Sequence, residues 1–315
     1  MTVDQIKAEA LALGFDRVGV CAAQTPPHWE AFRQWLADGR HAGMEYLVRH
    51  ADLREHPEHL LPGAQSVIVV AMNYAQDPDH RPGYPRIARY ALGRDYHITL
   101  RKQLRRLAKV LEEGGNATRI CVDSAPLLER DFAWLSGIGW YGKNTCLIDS
   151  RRGSWFLLGS ILTTANLEPD LPAIGGCGTC QACIDACPTG AIVFEHDRWQ
   201  IDARRCISYW TIEHRGPIPE YVADGIGDWT FGCDVCQEVC PFNQRRTTQP
   251  LRAHDTRVAD FRQVREWPSL VELAEISYER WDHLTRGSPV RRAGHAGIQR
   301  NAQINLHNLA RVDEH

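Results

Sequence analysis

The sequence predicts an α/β or α+β domain, then a small cysteine-rich domain, and finally a short helical C-terminus. Helical and strand patterns alternate through the first 170 residues. Eight of the 11 cysteines fall between Cys177 and Cys240. A weak helical pattern begins at Ser269 and continues to the end of the chain. We therefore predict domains at 1–170 and 171–250 and a helical segment at 251–315, a division that suits 315 residues.

The spacing of apolar residues predicts the elements of the first domain. Apolar residues recur at helical intervals from Ile6 to Leu13, and Gly14 ends this helix. The run SVIVVAM (66–72) is β-branched and does not alternate, which indicates a strand buried on both faces. The other predicted elements are strands at 17–21 and 118–122, helices at 97–113 and 127–136, and a hairpin at 144–164 with its turn near 151–153.

The composition is typical of a globular protein of the reducing cytosol. Hydrophobic residues make up 43% and charged residues 24% of the chain. The longest apolar runs, 67–72 and 155–162, are far shorter than the ~20 residues that span a bilayer. The N-terminus lacks a basic and then apolar signal segment. We therefore expect a cytoplasmic protein without a membrane partner, whose clustered cysteines bind metal rather than form disulfides.

The cysteine spacing is that of bacterial ferredoxins. One complete run ends in Cys187-Pro188, and a partial second run ends in Cys240-Pro241. In two-cluster ferredoxins the fourth cysteine of each run binds the other cluster. The crossed pairing assigns Cys177, Cys180, Cys183 and Cys240 to one [4Fe-4S] cluster and Cys187, Cys206, Cys233 and Cys236 to the other. The segment is therefore predicted to be a ferredoxin-like domain with two [4Fe-4S] clusters.

Two alternatives apply to these cysteines. Paired Cys-x2-Cys motifs also suit zinc, although runs closed by Pro are not zinc-like. The clusters could also be purely structural, but two adjacent clusters favour electron transfer to a redox-active group. The remaining cysteines, Cys21, Cys121 and Cys146, lie in or beside apolar strand patterns and are interpreted as core residues.

The segment GIGWYG (137–142) imitates a nucleotide-binding loop. A dinucleotide loop follows a strand and opens a helix, whereas this segment follows a predicted helix and precedes a predicted strand. A phosphate-binding P-loop also requires Ser or Thr where Asn144 stands. Neither an NAD nor an ATP site is supported, so we expect electrons from an external low-potential donor.

Five stretches of the chain together resemble one enzyme family. They are RYALGRDYH (89–97), VDSAPLLER (122–130), GIGWYGKNT (137–145), the two cysteine runs with CISY (206–209) between them, and QRNA (299–302). In this order they resemble the epoxyqueuosine reductases, which are cobalamin-dependent iron–sulfur enzymes of tRNA modification related to reductive dehalogenases. The resemblance spans nearly the whole chain.

The resemblance implies a fold, a reaction and cofactors. The first domain would bind cobalamin, and the cysteine segment would be the two-cluster domain that supplies it with electrons. The reaction would reduce the epoxide of epoxyqueuosine, at the wobble base of a tRNA anticodon stem-loop, to queuosine. Partners would be tRNA and an external electron donor, and we expect a monomer.

The resemblance places the family's catalytic aspartate at Asp123. Opening an epoxide leaves an alkoxide that must be protonated, and a carboxyl group can supply that proton if burial raises its pKa. The alternative is that Asp123 caps the helix predicted from about Pro126.

The resemblance also suggests contacts to the corrin ring, which would lie between the two domains. They are Tyr90, Asp123, Lys143, Asn144, Thr145 and Asp234. The Asp-x-His-x-x-Gly pattern that supplies a histidine ligand to cobalt elsewhere is absent from the sequence, in agreement with the family. Some family members carry Cys where this chain has Ala88.

Two stretches of the chain are basic despite a net charge of −3. The first, 86–109, holds eight basic residues against Asp95, and the second, 280–300, holds five arginines against Asp282. Either stretch could be only a solvated helix face. The resemblance favours 280–300 for tRNA, because Arg300-Asn301 resembles the start of the family's C-terminal helical repeats. Longer members continue into stacked repeats that hold the anticodon stem, so 251–315 is interpreted as a remnant of that region.

Two other functions remain open at this point. A reductive dehalogenase would use the same cofactors on a small organohalide, although such enzymes usually carry an export signal. An iron–sulfur electron carrier would need no large α/β domain. Detection of epoxyqueuosine in tRNA from a deletion strain separates the first hypothesis from these two.

Overall fold

The computed structural model describes residues 2–248, 252–263 and 265–312. The helices are α1 Val3–Ala12, α2 Trp29–Ala37, α3 Glu45–Arg49, α4 Tyr96–Glu113, α5 Glu129–Leu135, α6 Ala182–Asp185, α7 Glu220–Ile226, α8 Val235–Glu238, α9 Leu270–Ala274, α10 Tyr278–Thr285 and α11 His295–Val312. The strands are β1 Arg17–Ala22, β2 Ser66–Asn73, β3 Arg86–Ile87, β4 Thr118–Cys121, β5 Trp140–Tyr141, β6 Leu147–Ile148, β7 Phe156–Thr163, β8 Ile192–Glu195, β9 Arg198–Ile201 and β10 Trp229–Phe231.

The N-terminal part is built on a four-stranded sheet in the order β1-β2-β7-β4. All neighbouring strands in it are antiparallel, so the domain is α+β. The predicted hairpin at 144–164 is wrong. Only its turn is present, as a bridge between Asp149 and Gly153, because β6 pairs with β5 while β7 lies between β2 and β4. Apolar runs predicted the strands, but they do not encode which strands become neighbours.

Both faces of this sheet are covered by helices. Ile68, Val70 and Met72 of β2 belong to the core shared with α1 and α4. Val67, Val69 and Ala71 point to the opposite face, where they share a core with Phe132 of α5. Every residue of β2 is buried, which confirms the prediction from its unalternating apolar run.

Phe132 anchors α5 to the sheet, and its side chain is 0% exposed. Phe132→Ala should lower the free energy of unfolding by about 3–5 kcal/mol, since the substitution leaves a cavity in the core. Urea denaturation followed by circular dichroism measures this change. Phe194→Ala is the matched control: Phe194 is 54% exposed, so a change within about 0.5 kcal/mol is expected. Equal effects of the two substitutions would contradict this packing.

The cysteine-rich part contacts the N-terminal part through a short parallel sheet. Two short helices, α6 and α8, lie within the two cysteine runs and contact each other. Strand β10 pairs with β3, and the Ala88 N–H donates to the Phe231 carbonyl at 2.8 Å. This pairing brings the segment after β3 beside the loop that begins at Cys233.

The C-terminal helices are fixed to the rest of the molecule by buried amides. In α11, Asn301 donates to the carbonyls of Thr211 and Thr230, at 2.9 and 2.8 Å. Asn305 donates to the carbonyl of Gly227 at 2.8 Å, and both asparagines are 0% exposed. Within the described residues, the helices are all too short or too polar to cross a membrane.

Candidate active site and cluster-binding loops

The four cysteines predicted for the first cluster lie around one cavity. Cys177, Cys180, Cys183 and Cys240 line it together with Asn144, Ile148, Pro241 and Phe242. Burial, together with the charges of the neighbouring Cys177, Cys240 and Cys180, raises the pKa of the Cys183 thiol to about 11. The fold thus brings Cys240 of the second run to three cysteines of the first run.

The other four cysteines form a second group. Burial raises the pKa of the Cys233 thiol to about 12, with further contributions from Cys206, Asp234 and Cys187. Interaction with Cys146 and burial are the main causes that raise the pKa of the Cys236 thiol, and charge on Cys233 and Cys206 contributes as well. A group of four partly buried cysteines is suited to bind a cationic metal centre as thiolates.

The sulfur atoms also accept backbone hydrogen bonds. The N–H of Lys143 donates to Cys177 Sγ at 3.4 Å, and that of Ala191 donates to Cys187 Sγ at 3.3 Å. All the cysteines are free thiols. Sets of four thiolates with donors directed at sulfur fit [4Fe-4S] clusters.

The core interpretation holds for two of the remaining cysteines but not for the third. Cys21 and Cys121 are each 3% exposed and belong to the core between the sheet and α5. Cys146 is only partly buried, and interaction with Cys236, a predicted cluster ligand, lowers the pKa of its thiol. The residues next to Cys146 in the sequence do not indicate that it lies beside Cys236.

The structure gives Lys143 and Asn144 roles beside the cluster cysteines. Lys143 Nζ donates to the Cys180 carbonyl at 2.9 Å and lies 5.5 Å from the centre of the Trp199 ring. Asn144 is 4% exposed and donates to the Cys236 carbonyl at 3.2 Å. Both residues therefore support the cluster loops, and their contact with a corrin ring stays a prediction, as does that of Thr145.

Asp123 lies on the loop that follows β4, with its side chain 56% exposed. Its φ of 47° is in the left-handed region, which is unusual for a residue other than glycine and marks local strain. The capping alternative is wrong, because the next helix, α5, begins at Glu129 and its N-cap is Leu128. The backbone instead projects the Asp123 carboxylate towards α4.

His97 links Asp123 to a second carboxylate. Its Nε2 lies 3.2 Å from Asp123 Oδ2, and its Nδ1 lies 2.8 Å from Asp95 Oδ1. Burial lowers the pKa of His97, but hydrogen bonds and charges from Asp123 and Asp95 outweigh it and raise the pKa to about 9. His97 is therefore a protonated imidazolium at neutral pH.

The raised carboxyl pKa expected at Asp123 occurs instead at Glu129. Desolvation raises the pKa of Asp123, but the hydrogen bond and charge of His97 outweigh it, so that pKa lies below its usual value. Burial, followed by the charge of Asp123, raises the pKa of Glu129 to about 7. Both His97 and Glu129 lie within stretches that resemble the family, but no sequence pattern predicted a role for either residue.

Tyr90 lies between the Asp123 loop and the second group of cysteines. Its ring centroid lies 5.9 Å from that of Tyr96, whose ring stacks on His97 at 4.2 Å, and Tyr90 and Cys233 pack against the same apolar cluster. Burial, followed by the charges of Asp123 and Asp234, raises the pKa of the Tyr90 hydroxyl. Asp234 follows Cys233, is 2% exposed, and accepts a hydrogen bond from the Arg89 N–H at 2.7 Å. The loop carrying Cys233 is thereby fixed next to the segment that carries Tyr90.

This fold and site define an iron–sulfur oxidoreductase with an acidic centre beside two groups of cluster-binding cysteines. A family model described as a 4Fe-4S double cluster binding domain matches residues 176–243, which confirms the prediction of two [4Fe-4S] clusters. A second model, described as epoxyqueuosine reductase QueG, DUF1730, matches residues 54–124. The chain belongs to the epoxyqueuosine reductase family.

Curated relatives of that name are similar over almost the whole chain. One from Xanthomonas campestris is 42% identical over 96% of this chain and 86% of its own length. One from Gloeobacter violaceus is 41% identical over 97% of this chain and 96% of its own length. The family thus contains a relative that extends little beyond the region shared with this chain.

Solved structures of the family share the fold. The epoxyqueuosine reductase from Streptococcus thermophilus superimposes with a TM-score of 0.86 at 29% identity, covering 98% of this chain and 82% of that one. An epoxyqueuosine reductase crystallised with an epoxyqueuosine-modified tRNA-Tyr stem loop superimposes with a TM-score of 0.85, also at 29% identity, over 97% and 80% of the two chains.

Proposed function

We propose that this chain reduces the epoxide of epoxyqueuosine in tRNA to the alkene of queuosine. The observation that carries the proposal is the position of Tyr90. Its ring contacts Tyr96, which stacks on His97, the partner of Asp123. The N–H of the adjacent Arg89 donates to Asp234, beside Cys233. A proton source and an electron source are thus neighbours. The names of the relatives and the tRNA stem loop bound by one of them supply the substrate.

The proposed cofactors are two [4Fe-4S] clusters and cobalamin. Cysteine sets 177, 180, 183, 240 and 187, 206, 233, 236 would hold the clusters, and cobalamin would supply cobalt-centred electrons for cleavage of the carbon–oxygen bond. Tyr90, Asp123 and Asp234 are the proposed surroundings of the corrin. Both ring nitrogens of His97 are engaged by carboxylates, which fits a cofactor that takes no histidine from this site.

Removal of the epoxide oxygen as water requires two electrons and two protons. The His97 imidazolium holds one proton at Nε2, within hydrogen-bond distance of Asp123 Oδ2. Asp123 can pass this proton to the oxygen released on ring opening, and Asp95 keeps the imidazole oriented through Nδ1. Glu129, with a pKa of about 7, is a second carboxyl group near Asp123 that is partly protonated at neutral pH.

We also propose that an external low-potential donor reduces the clusters and that the chain acts as a monomer. The GIGWYG segment follows α5 and contains β5, the reverse of the strand-to-helix context of a dinucleotide loop. The position of this segment in the fold is therefore consistent with the expectation that it does not bind a nucleotide.

The proposal is tested in a strain whose own gene has been deleted. Expression of this chain should convert epoxyqueuosine to queuosine in digested tRNA, as measured by mass spectrometry. A control expressing Asp123→Asn should leave epoxyqueuosine in place. Persistence of epoxyqueuosine with the wild-type chain, purified from the same cells with iron and cobalamin bound, would rule out the proposed reaction.

The pKa of His97 predicts a pH dependence. Turnover should fall as pH rises through about 9, because the proton on Nε2 is then lost. The folded pKa is above the ordinary value of 6.5, so the stabilisation by protonated His97 is greatest below pH 6.5 and is lost as pH rises through 9. His97→Gln should therefore abolish the basic limb of the rate profile, and the difference in free energy of unfolding from wild type should shrink towards pH 10. A basic limb unchanged in His97→Gln would contradict this assignment.

A further inference from the structure

The exposed face of α4 is basic from Arg101 to Lys109. Five exposed residues form this surface, which we name the α4 basic face: Arg101, Lys102, Arg105, Arg106 and Lys109. Leu100, Leu104 and Leu107, on the opposite face of the helix, are 0% exposed and pack into the core. Packing of α4 against the sheet thus holds these cations on the surface.

Few carboxylates neutralise the α4 basic face. Arg105 lies 4.0 Å from Glu112, and Lys109 lies 3.8 Å from Glu113, and both pairs are exposed. Such exposed pairs contribute little and are screened by salt. Arg106 donates only to the neutral side chain of Gln103, at 3.2 Å, and Lys102 has no ion-pair partner among the described residues. Most of the positive charge therefore remains available to a ligand.

The arginines of 280–300, which the sequence favoured for tRNA, are already engaged. Arg286 and Arg291 both pair with Asp282, at 2.6 and 2.5 Å. The others bind elsewhere in the fold: Arg280 pairs with Glu272, Arg292 with Glu213, and Arg300 donates to the carbonyls of Trp210, His214 and Gly216. This stretch therefore holds the C-terminal helices in place and presents less free charge than its composition indicates.

The α4 basic face begins at the proposed reaction centre. His97, Arg101, Arg105 and Lys109 follow one another at intervals of four residues, so they share one side of the helix. Arg101 donates to Ser124 Oγ at 3.1 Å, and Ser124 is the residue next to Asp123. From His97 to Lys109 the row extends about 18 Å along the helix axis.

We infer that the α4 basic face binds the phosphate backbone of the tRNA stem that adjoins the modified base. This inference rests on the proposed function, because a base held at Asp123 places the adjoining nucleotides beside the row that starts at His97. Regularly spaced cations on a helix surface suit a polyanion without reading its sequence, and base recognition remains at the Asp123 site.

The test compares two variants matched in charge. The first neutralises the α4 basic face with Arg105→Gln, Arg106→Gln and Lys109→Gln, which leaves Arg101 and His97 intact. The second carries Arg280→Gln, Arg286→Gln and Arg291→Gln. Binding of an epoxyqueuosine stem loop is measured by fluorescence anisotropy at several salt concentrations, with iron and cobalamin content determined for each protein.

The α4 variant should raise the Kd for the stem loop about 10- to 100-fold at low salt and reduce the slope of log K against log salt by about 2–3. Its KM should rise while kcat at saturating stem loop stays unchanged. The 280–300 variant should change Kd less than about threefold. An unchanged Kd and salt slope in the α4 variant, with normal binding and reduction by wild type, overturns this inference alone. A wild-type chain that binds no stem loop overturns the proposed function as well.

Discussion

Asp123→Asn should lower turnover of epoxyqueuosine about 10²- to 10⁴-fold, the range expected for loss of a positioned proton-transfer group. The carboxylate is 56% exposed and lies 3.2 Å from the protonated Nε2 of His97. An amide at this position can still accept a hydrogen bond from His97, but it cannot pass a proton onward. Turnover is measured by mass spectrometry of the digested stem loop, and the loss should appear in kcat with little change in Kd.

The neighbouring residue supplies the control for this substitution. Ser124→Ala removes a hydroxyl that accepts from Arg101 but leaves Asp123 and His97 in place, so turnover should stay within about threefold of wild type. Iron content and cobalamin absorption should be the same in both variants. An Asp123→Asn protein that retains nearly normal turnover would remove Asp123 from the role of proton donor.

Pairs of cysteine substitutions should distinguish crossed from sequential cluster ligation. With crossed ligands, Cys177→Ala combined with Cys240→Ala damages one cluster, and about four irons per chain remain. Cys177→Ala combined with Cys187→Ala damages both clusters, so iron should fall towards zero. The physical reason is that, with crossed ligands, the 177/240 pair removes two thiolates from one cluster, whereas the 177/187 pair removes one thiolate from each cluster.

Iron analysis and electron paramagnetic resonance of the reduced proteins measure this result. The cavity lined by Cys177, Cys180, Cys183 and Cys240 supports the crossed arrangement. The opposite pattern, with four irons retained by the 177/187 pair and none by the 177/240 pair, would show sequential ligation. Each double variant serves as the control for the other, because both remove two cysteines.

Local patterns predicted most of the fold. The apolar run of β2 and the helical spacing of apolar residues in α4 each show how one element is buried. They therefore predicted these elements without information on the neighbouring elements. The hairpin at 144–164 failed because the partners of β7 are β2 and β4, which are distant in sequence. Cysteine spacing was sufficient for the clusters, since ligand geometry is encoded in short intervals.

The parts of the site that sequence could not reveal depend on distant pairs. The pKa of His97 is raised by the nearby Asp95 and also by Asp123, which lies 26 residues away and faces its second nitrogen. Arg292 forms an ion pair with Glu213, which lies 79 residues away in the sequence, so its charge is partly neutralised. A count of charges in a window cannot include such partners. The segment 280–300 was favoured over 86–109 because Arg300-Asn301 resembles the start of the family's helical repeats, although 86–109 carries more basic residues.

The most direct measurement uses the purified chain with its clusters and cobalamin, a low-potential reductant and an epoxyqueuosine stem loop under anaerobic conditions. Mass spectrometry of the digested nucleosides should show epoxyqueuosine replaced by a product lighter by one oxygen atom, and Asp123→Asn should yield almost none. If the clusters are reduced and the stem loop is bound while epoxyqueuosine remains intact, the central claim of epoxide reduction is contradicted.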